Sequence, residues 1–388
     1  MRRDHQQIGV CEKGLCCGCG SCEQKCPNRC ITMITDEEGF QYPSINKLEC
    51  LHCGKCKDAC PIINVTKIGI RKQRIFAAYS IDESTRLNSS SGGIFSLLAE
   101  EILKQGGVVF GASFDSKWMV HHVRVEKTTE LSTLRGSKYV QSNIGNTYAE
   151  AEMLLKQGRK VLFSGTGCQI AGLKQFLQTD YPNCYTVDIL CHGVPSPLVW
   201  EKYLHEKENQ LGAHINEIYF RNKANGWNSY MIRILFDNSK EYAKQHNEDV
   251  YMRLFLENID LRPSCHNCSF KSIERLSDLT LGDAWGIESV MQGFADDKGT
   301  SLVIVQSKKG QELLDTIHDR VYLKEGNIDD LLPVQADSRN SMKKHANREL
   351  FFRELMRTES IEQMEKHLHF SIPRRVFLKI KRTLGSIN

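Results

Sequence analysis

Between residues 75 and 190, short apolar runs alternate with segments whose apolar positions recur every three to four residues. RIFAAYSI, VVFGASFD, KVLFSG and CYTVDILC read as strands, the last two apolar enough to be buried on both faces. Ile94, Phe95, Leu97, Leu98, Ile102 and Leu103 share helical spacing, and Gly106-Gly107 closes that helix. IGNTYAEAEMLLKQGR reads as a second helix, and TGCQIAGLKQFLQT as a loop running into a third. This alternation predicts an α/β body. HHVRVEK is a further strand, and HINEIYFRN and YMIRILFDN add antiparallel ones, so the sheet is mixed and the chain α+β overall. ELSTLRGSKYVQS reads as a basic loop. Near the N-terminus, ITMITDEEGFQYPSI alternates around a DEEG turn, as a hairpin does.

The chain is expected to divide into segments 1–68, 75–157, 158–345 and 346–388, the middle two being the halves of one body. NVTKIGIRKQR is polar and basic, a linker between the first two. The last segment is expected to be a short helical basic tail. Pro373 starts its final helix, Phe377, Ile380 and Leu384 share one face, and Arg374, Arg375, Lys379, Lys381 and Arg382 supply charge. Such a helix packs on its own domain or docks on an anionic membrane surface or acidic partner.

Composition narrows the class. Apolar residues are 40% and charged residues 25%, as in ordinary globular proteins. The 51 basic and 47 acidic residues balance too closely for nucleic acid to be the main partner. No apolar run approaches the length of a transmembrane helix. The opening MRRDHQQIGVCEKG has no apolar stretch, so no secretory signal is expected. The 16 cysteines change the picture most. Eleven fall between Cys11 and Cys60, which in a chain without a signal reads as a reduced, cytoplasmic protein with a dense metal site.

CCGCGSCEQKCP places Cys16, Cys19, Cys22 and Cys26 before Pro27. CLHCGKCKDACP repeats that spacing with Cys50, Cys53, Cys56 and Cys60 before Pro61. Three thiolates two residues apart wrap one iron–sulfur cube. The fourth points away and ligates the other cube in two-cluster ferredoxins. One 4Fe–4S cluster is therefore assigned to Cys16, Cys19, Cys22 and Cys60, the other to Cys50, Cys53, Cys56 and Cys26. Gly18, Gly20 and Gly54 allow close backbone approach to the sulfurs. Cys11, Cys17 and Cys30 fall outside the pattern and read as packing thiols.

Cys265 and Cys268 form a C-x2-C pair in RPSCHNCSF, while Cys168 and Cys191 each follow a strand. Strand-end loops of one sheet bring such residues to a common edge. The four then make a third cluster or an all-cysteine zinc site, or they are unrelated core residues. Cys184, inside a strand, reads as core. SSSGGIF and SGTGCQ precede helices and are either phosphate-binding termini or plain tight turns.

GSKYVQS, VLFSGTGCQIAGL, CHGVPSP, RPSCHNCSF and SDLTLGDAWGI, in that order, resemble the coenzyme F420 hydrogenase/dehydrogenase beta-subunit family. SSSGGIFS fits its first half, and the resemblance covers roughly residues 76–335. It implies a mixed-sheet flavin-binding body behind a two-cluster ferredoxin domain. It also implies FAD, and a third 4Fe–4S cluster on Cys168, Cys191, Cys265 and Cys268. Gly92, Gly93, Lys138, Gly165 and Thr166 would line the flavin. By position, Lys138 either stabilises charge on the reduced ring or is a surface lysine, and His192, next to Cys191, either relays a proton or holds its loop; the first reading of each makes these two the catalytic pair. Asp283 and Trp285 would orient the cluster loop or cover the flavin. The family usually has Pro where this chain has Gly167, which predicts a looser loop. The implied activity is electron transfer from reduced ferredoxin, or another redox protein, through the clusters and flavin to a two-electron acceptor. That acceptor is a small molecule or coenzyme, including a substrate of cell-surface polysaccharide synthesis. The alternative is a non-catalytic electron-transfer subunit of a larger complex.

Overall fold

The computed structural model describes residues 6–66, 73–291, 293–294, 296–332, 339–358 and 360–368. The front domain runs β1 (Gln6–Ile8), α1 (Ser21–Gln24), β2 (Ile31–Thr35), β3 (Gln41–Asn46) and α2 (Lys55–Asp58). Its small antiparallel sheet has the order β1-β3-β2, and β2 with β3 is the expected hairpin. The body opens with β4 (Arg74–Ser80), α3 (Glu83–Leu87), α4 (Ile94–Lys104), β5 (Val108–Phe114), β6 (Val120–Val125) and α5 (Thr147–Lys156). It continues with β7 (Val161–Thr166), α6 (Gly167–Leu177), β8 (Cys184–Ile189) and α7 (Pro197–Leu211). Then come β9 (Ile215–Asn222), β10 (Met231–Phe236), β11 (Glu241–Gln245) and α8 (Val250–Leu256). It closes with β12 (Leu279–Asp283), β13 (Ser301–Val305), α9 (Lys308–Asp315), β14 (Val321–Gly326), α10 (Ile328–Leu331) and α11 (Arg348–Leu355).

The main sheet has the order β14-β4-β13-β12-β8-β7-β5-β6. β5, β7, β8 and β12 are mutually parallel, and β13 runs antiparallel between β12 and β4. Five strands thus point one way and end at Ser80, Phe114, Thr166, Ile189 and Asp283. This is the edge where α/β sheets build their sites. Val161, Leu162 and Phe163 are fully buried, as an apolar run in a central strand requires. The part of the expected basic loop at Thr128–Thr133 is a 3-10 turn, pinned by buried Leu131.

A second sheet, β11-β10-β9, packs with α7 and α8 into the largest core, around Trp200, Tyr203, Phe220, Tyr251 and Phe255. That core takes in Phe40 and Tyr42 from the front domain, both essentially unexposed. Gly39 (φ +86°) turns the front hairpin against α7, where an added Cβ would sit 2.5 Å from the Leu198 Cβ. Ser196 donates to the Glu38 carbonyl at 2.5 Å, and Arg348 grips the Glu38 carboxylate with both terminal nitrogens. The ferredoxin-like unit is therefore welded to the body.

The described part of segment 346–388, expected to be a helical tail, packs on the body. Phe351, Leu355, Ile361, Met364 and Leu368 are buried in that same largest core. Helical periodicity shows that a face is apolar, not what covers it. The basic stretch around Arg374–Arg382 lies outside the described residues, as does most of the expected linker.

Candidate metal centres

α1 and α2 are copies of one device. Each is a single turn entered through a left-handed glycine, Gly20 (φ 71°) and Gly54 (φ 78°), a conformation that costs glycine little. The turn carries the third cysteine of each motif inward and sends the fourth across to the other repeat. Cys60 accordingly faces Cys16 and Cys22, while Cys56 faces Cys26 and Cys50. Cys16, Cys19, Cys22 and Cys60 are buried, whereas Cys53 is exposed. One front site is thus internal and the other opens to solvent.

The three thiols outside the motif pack against the cysteines that belong to it. A hydrogen bond from Cys11 lowers Cys16 to about 6 and Cys60 to about 7. Cys30 lies 3.4 Å from Cys26, and burial raises its thiol to about 12. Cys17 is buried between Cys19 and Cys168. Each stands beside cluster-motif cysteines. The sequence signal was their sheer density within 50 residues, which spacing rules do not read.

Cys168 is the second residue of α6, Cys191 follows the end of β8, Cys265 lies within the 3-10 turn Pro263–Asn267, and Cys268 caps that turn. The fold brings all four to the wall of one cavity, together with Cys17 and Arg262. Local bonds fix the ring. Cys265 Sγ accepts from the Val194 N–H at 3.5 Å, the Cys268 N–H donates to Ser341 at 2.8 Å, and Thr166 Oγ1 sits 3.1 Å from Cys168 Sγ. Burial pushes Cys191 up to about 12 and raises Cys265 and Cys268 as well. A metal-free ring is therefore neutral, and loading it must release protons. Among the described residues, no three His, Cys, Asp or Glu side chains converge on a single-ion site. Four thiols around one cavity are a ligand set of the kind that holds an iron–sulfur cluster or a zinc ion.

Cys184 is core, 1% exposed. His192 lines the third ring, its Nε2 2.7 Å from Asn258 Oδ1 and its ring edge-to-face on Phe255. Lys138 lies elsewhere on the edge. Its Nζ donates to the carbonyls of Arg135 and Gly136, and desolvation lowers it to about 7. Loops 89–93 and 135–138 meet through Ser90 and Ser137, at 2.9 Å between hydroxyls. That juxtaposes Gly92, Gly93 and Lys138. Gly92 already has a packing reason, because an added Cβ would collide with the Ala78 carbonyl. Gly93 is the left-handed N-cap of α4. Gly165 lies against His122, and Thr166 closes a capping box with Gln169. That box holds the loop expected to be loose. Gly167 is the first residue of α6, a position that accepts Pro or Gly without altering the helix start. Two helix N-termini and one desolvated amine along this edge form a donor set that suits a phosphate-bearing cofactor. Trp285 stacks on Trp227 at 4.2 Å, and Asp283 accepts from Arg221 at 2.9 Å.

Residues 158–331 match the family model for the C terminus of the Coenzyme F420 hydrogenase/dehydrogenase beta subunit. Residues 75–147 match the model for the N-terminal part of the same family, and residues 15–63 match the 4Fe-4S dicluster domain. A coenzyme F420-dependent sulfite reductase of Methanocaldococcus jannaschii is 24% identical over 368 residues, covering 87% of this chain and 51% of the relative. The chain spans about half the length of that curated relative. A solved structure, the xenon-derivatised F420-reducing NiFe hydrogenase complex of Methanosarcina barkeri, aligns with a TM-score of 0.44 at 17% identity. The alignment covers 75% of this chain and 89% of that one.

Proposed function

Since the chain belongs to the coenzyme F420 hydrogenase/dehydrogenase beta-subunit family and carries a 4Fe–4S dicluster domain in front, we propose that it is a three-cluster flavoprotein oxidoreductase. It moves electrons between a redox-protein partner, such as ferredoxin, and a two-electron acceptor. The observation that carries this reading is the ring of Cys168, Cys191, Cys265 and Cys268 around one cavity, with front-domain Cys17 in its wall. The solvent-open site near Cys53 is the entry, the buried front site the middle station, and the third ring the exit toward the sheet edge.

Clusters pass one electron at a time, and FAD, when bound, supplies the conversion to two-electron chemistry. The chain's own residues do the rest. Gly93 and Thr166 start the helices whose N-termini receive the cofactor's phosphates. Lys138, close to neutral-pH titration, holds or releases a proton on the edge. His192, anchored by Asn258, stands between the third ring and Phe255 and is placed to hand on a proton. The free thiols suit a reducing cytoplasm. No helix among the described residues is long and apolar enough to cross a membrane.

A second reading, an electron-transfer subunit that serves a separate catalytic chain, draws on the matched family's being that of a hydrogenase/dehydrogenase beta subunit. Anaerobic purification followed by steady-state assay separates the two. The oxidoreductase reading predicts bound FAD, bleached by reduced ferredoxin, and turnover of the deazaflavin coenzyme by the isolated chain. FAD without turnover favours the subunit reading. A chain that binds no flavin after anaerobic reconstitution contradicts both.

A further inference from the structure

Arg262 is fully buried, three residues before Cys265, and lines the third ring. Its Nε donates to the Cys16 carbonyl at 2.8 Å, Nη2 to the Gln41 carbonyl at 2.8 Å and Nη1 to Gln141 Oε1 at 2.9 Å. Tyr42 and Phe40 cover its guanidinium at 4.3 and 5.4 Å. Among the described residues, none of its partners is a carboxylate. A buried guanidinium carrying full charge without an anion is expensive, even when its hydrogen bonds are met. The other buried arginines obey the rule: Arg86 pairs with Asp296, Arg221 with Asp283, Arg275 with Asp188 and Arg348 with Glu38.

What does lie around Arg262 is thiolate ligand. Cys16 belongs to the buried front cluster, and Cys168 and Cys265 to the third. The positive field of Arg262 favours the thiolates of Cys16 and Cys168. A cube held by four thiolates is a net anion, more so when reduced. Gln141 completes the bridge: it accepts from Arg262 and donates to the Cys17 carbonyl at 3.1 Å. Cys17 in turn lies between Cys19 and Cys168.

We propose that Arg262 is the shared counter-charge of the buried front cluster and the third cluster, setting both potentials and fixing Cys17 as the contact between them. This deepens the three-cluster reading and rests on it. In the step concerned, one electron leaves the front cluster, which is oxidised, and enters the third, which is reduced. No proton moves. Positive charge stabilises the reduced form of each cluster, so its removal lowers both potentials. Arg262 is a positioning residue, since it touches the ligand backbone rather than the irons.

The test is an EPR-monitored redox titration of the full chain, with iron content measured alongside. Arg262→Gln is expected to keep the wild-type iron and to shift the reduction equilibrium of those two clusters at least tenfold, about 59 mV for one electron. The Cys26/Cys50/Cys53/Cys56 cluster should not move. Arg262→Lys, which keeps the charge but loses the fork of hydrogen bonds, should stay near wild type. If Arg262→Gln fails to assemble, Gln141→Glu carries the same test, because its carboxylate neutralises Arg262 in place and lowers the same two potentials. Full iron with unmoved potentials, an equal shift of all three clusters, or a Lys variant as shifted as the Gln variant would each overturn the proposal. A wild-type chain with only about eight irons would instead overturn the three-cluster reading itself, and this inference with it.

Discussion

His122 is 6% exposed, its ring stacked on Phe163 and its nitrogens bonded to Ser142 Oγ at 2.7 Å and the Ser164 carbonyl at 2.9 Å. Burial lowers its pKa from 6.5 to about 4, so the native state holds it neutral. Its stabilising contribution is complete above 6.5 and is lost as pH falls toward about 4, where the folded chain must also take the proton. The loss approaches roughly 3 kcal/mol. His122→Gln should flatten the fall of the unfolding midpoint across that window, measured by denaturant titration at each end. Equal losses in variant and wild type would contradict this. At this scale, legibility followed locality. The eight motif cysteines could be read because their chemistry is written in spacing. Cys17 and Arg262 could not, because Cys168 beside the one and Gln141 beside the other come from segments more than 100 residues away.

Strands and helices of the body followed the apolar pattern closely, since β7 and β8 are buried on both faces and α4 presents one apolar stripe. The C-terminal segment did not. Its helix α11 has buried residues Phe351, Phe352 and Leu355, but nothing local says that they join the core that also holds residues of β9, β10 and α8. Phe351→Ala should therefore destabilise the chain by about 3–5 kcal/mol, the cost of emptying a core aromatic site. Denaturant unfolding of the variant measures it. A change under about 1 kcal/mol would mean that the segment adds little to the core. The Gly167 loop teaches the same lesson in reverse. A departure from the family's residue suggested looseness, yet the Thr166–Gln169 capping box supplies the order that Pro would have given.

At the scale of the molecule, front domain and body share one core, joined by Phe40, Tyr42, Glu38 and the buried Arg262 and Arg348. A mobile ferredoxin arm would sample many distances to the body. This one is held with its buried site against the third ring, which is what a fixed electron route requires. The order of domains was legible in the repeat of the cysteine motif. Their fusion was not, because it depends on surfaces that only the fold brings together. The central claim is that four dispersed cysteines hold a third cluster fed by the front two. Iron and EPR analysis of anaerobically prepared wild type and Cys268→Ser tests it most directly. The account predicts about twelve irons in wild type and about eight in the variant, with both front-cluster signals intact and ferredoxin-driven reduction slowed. Equal iron and equal rates in the two proteins would contradict it.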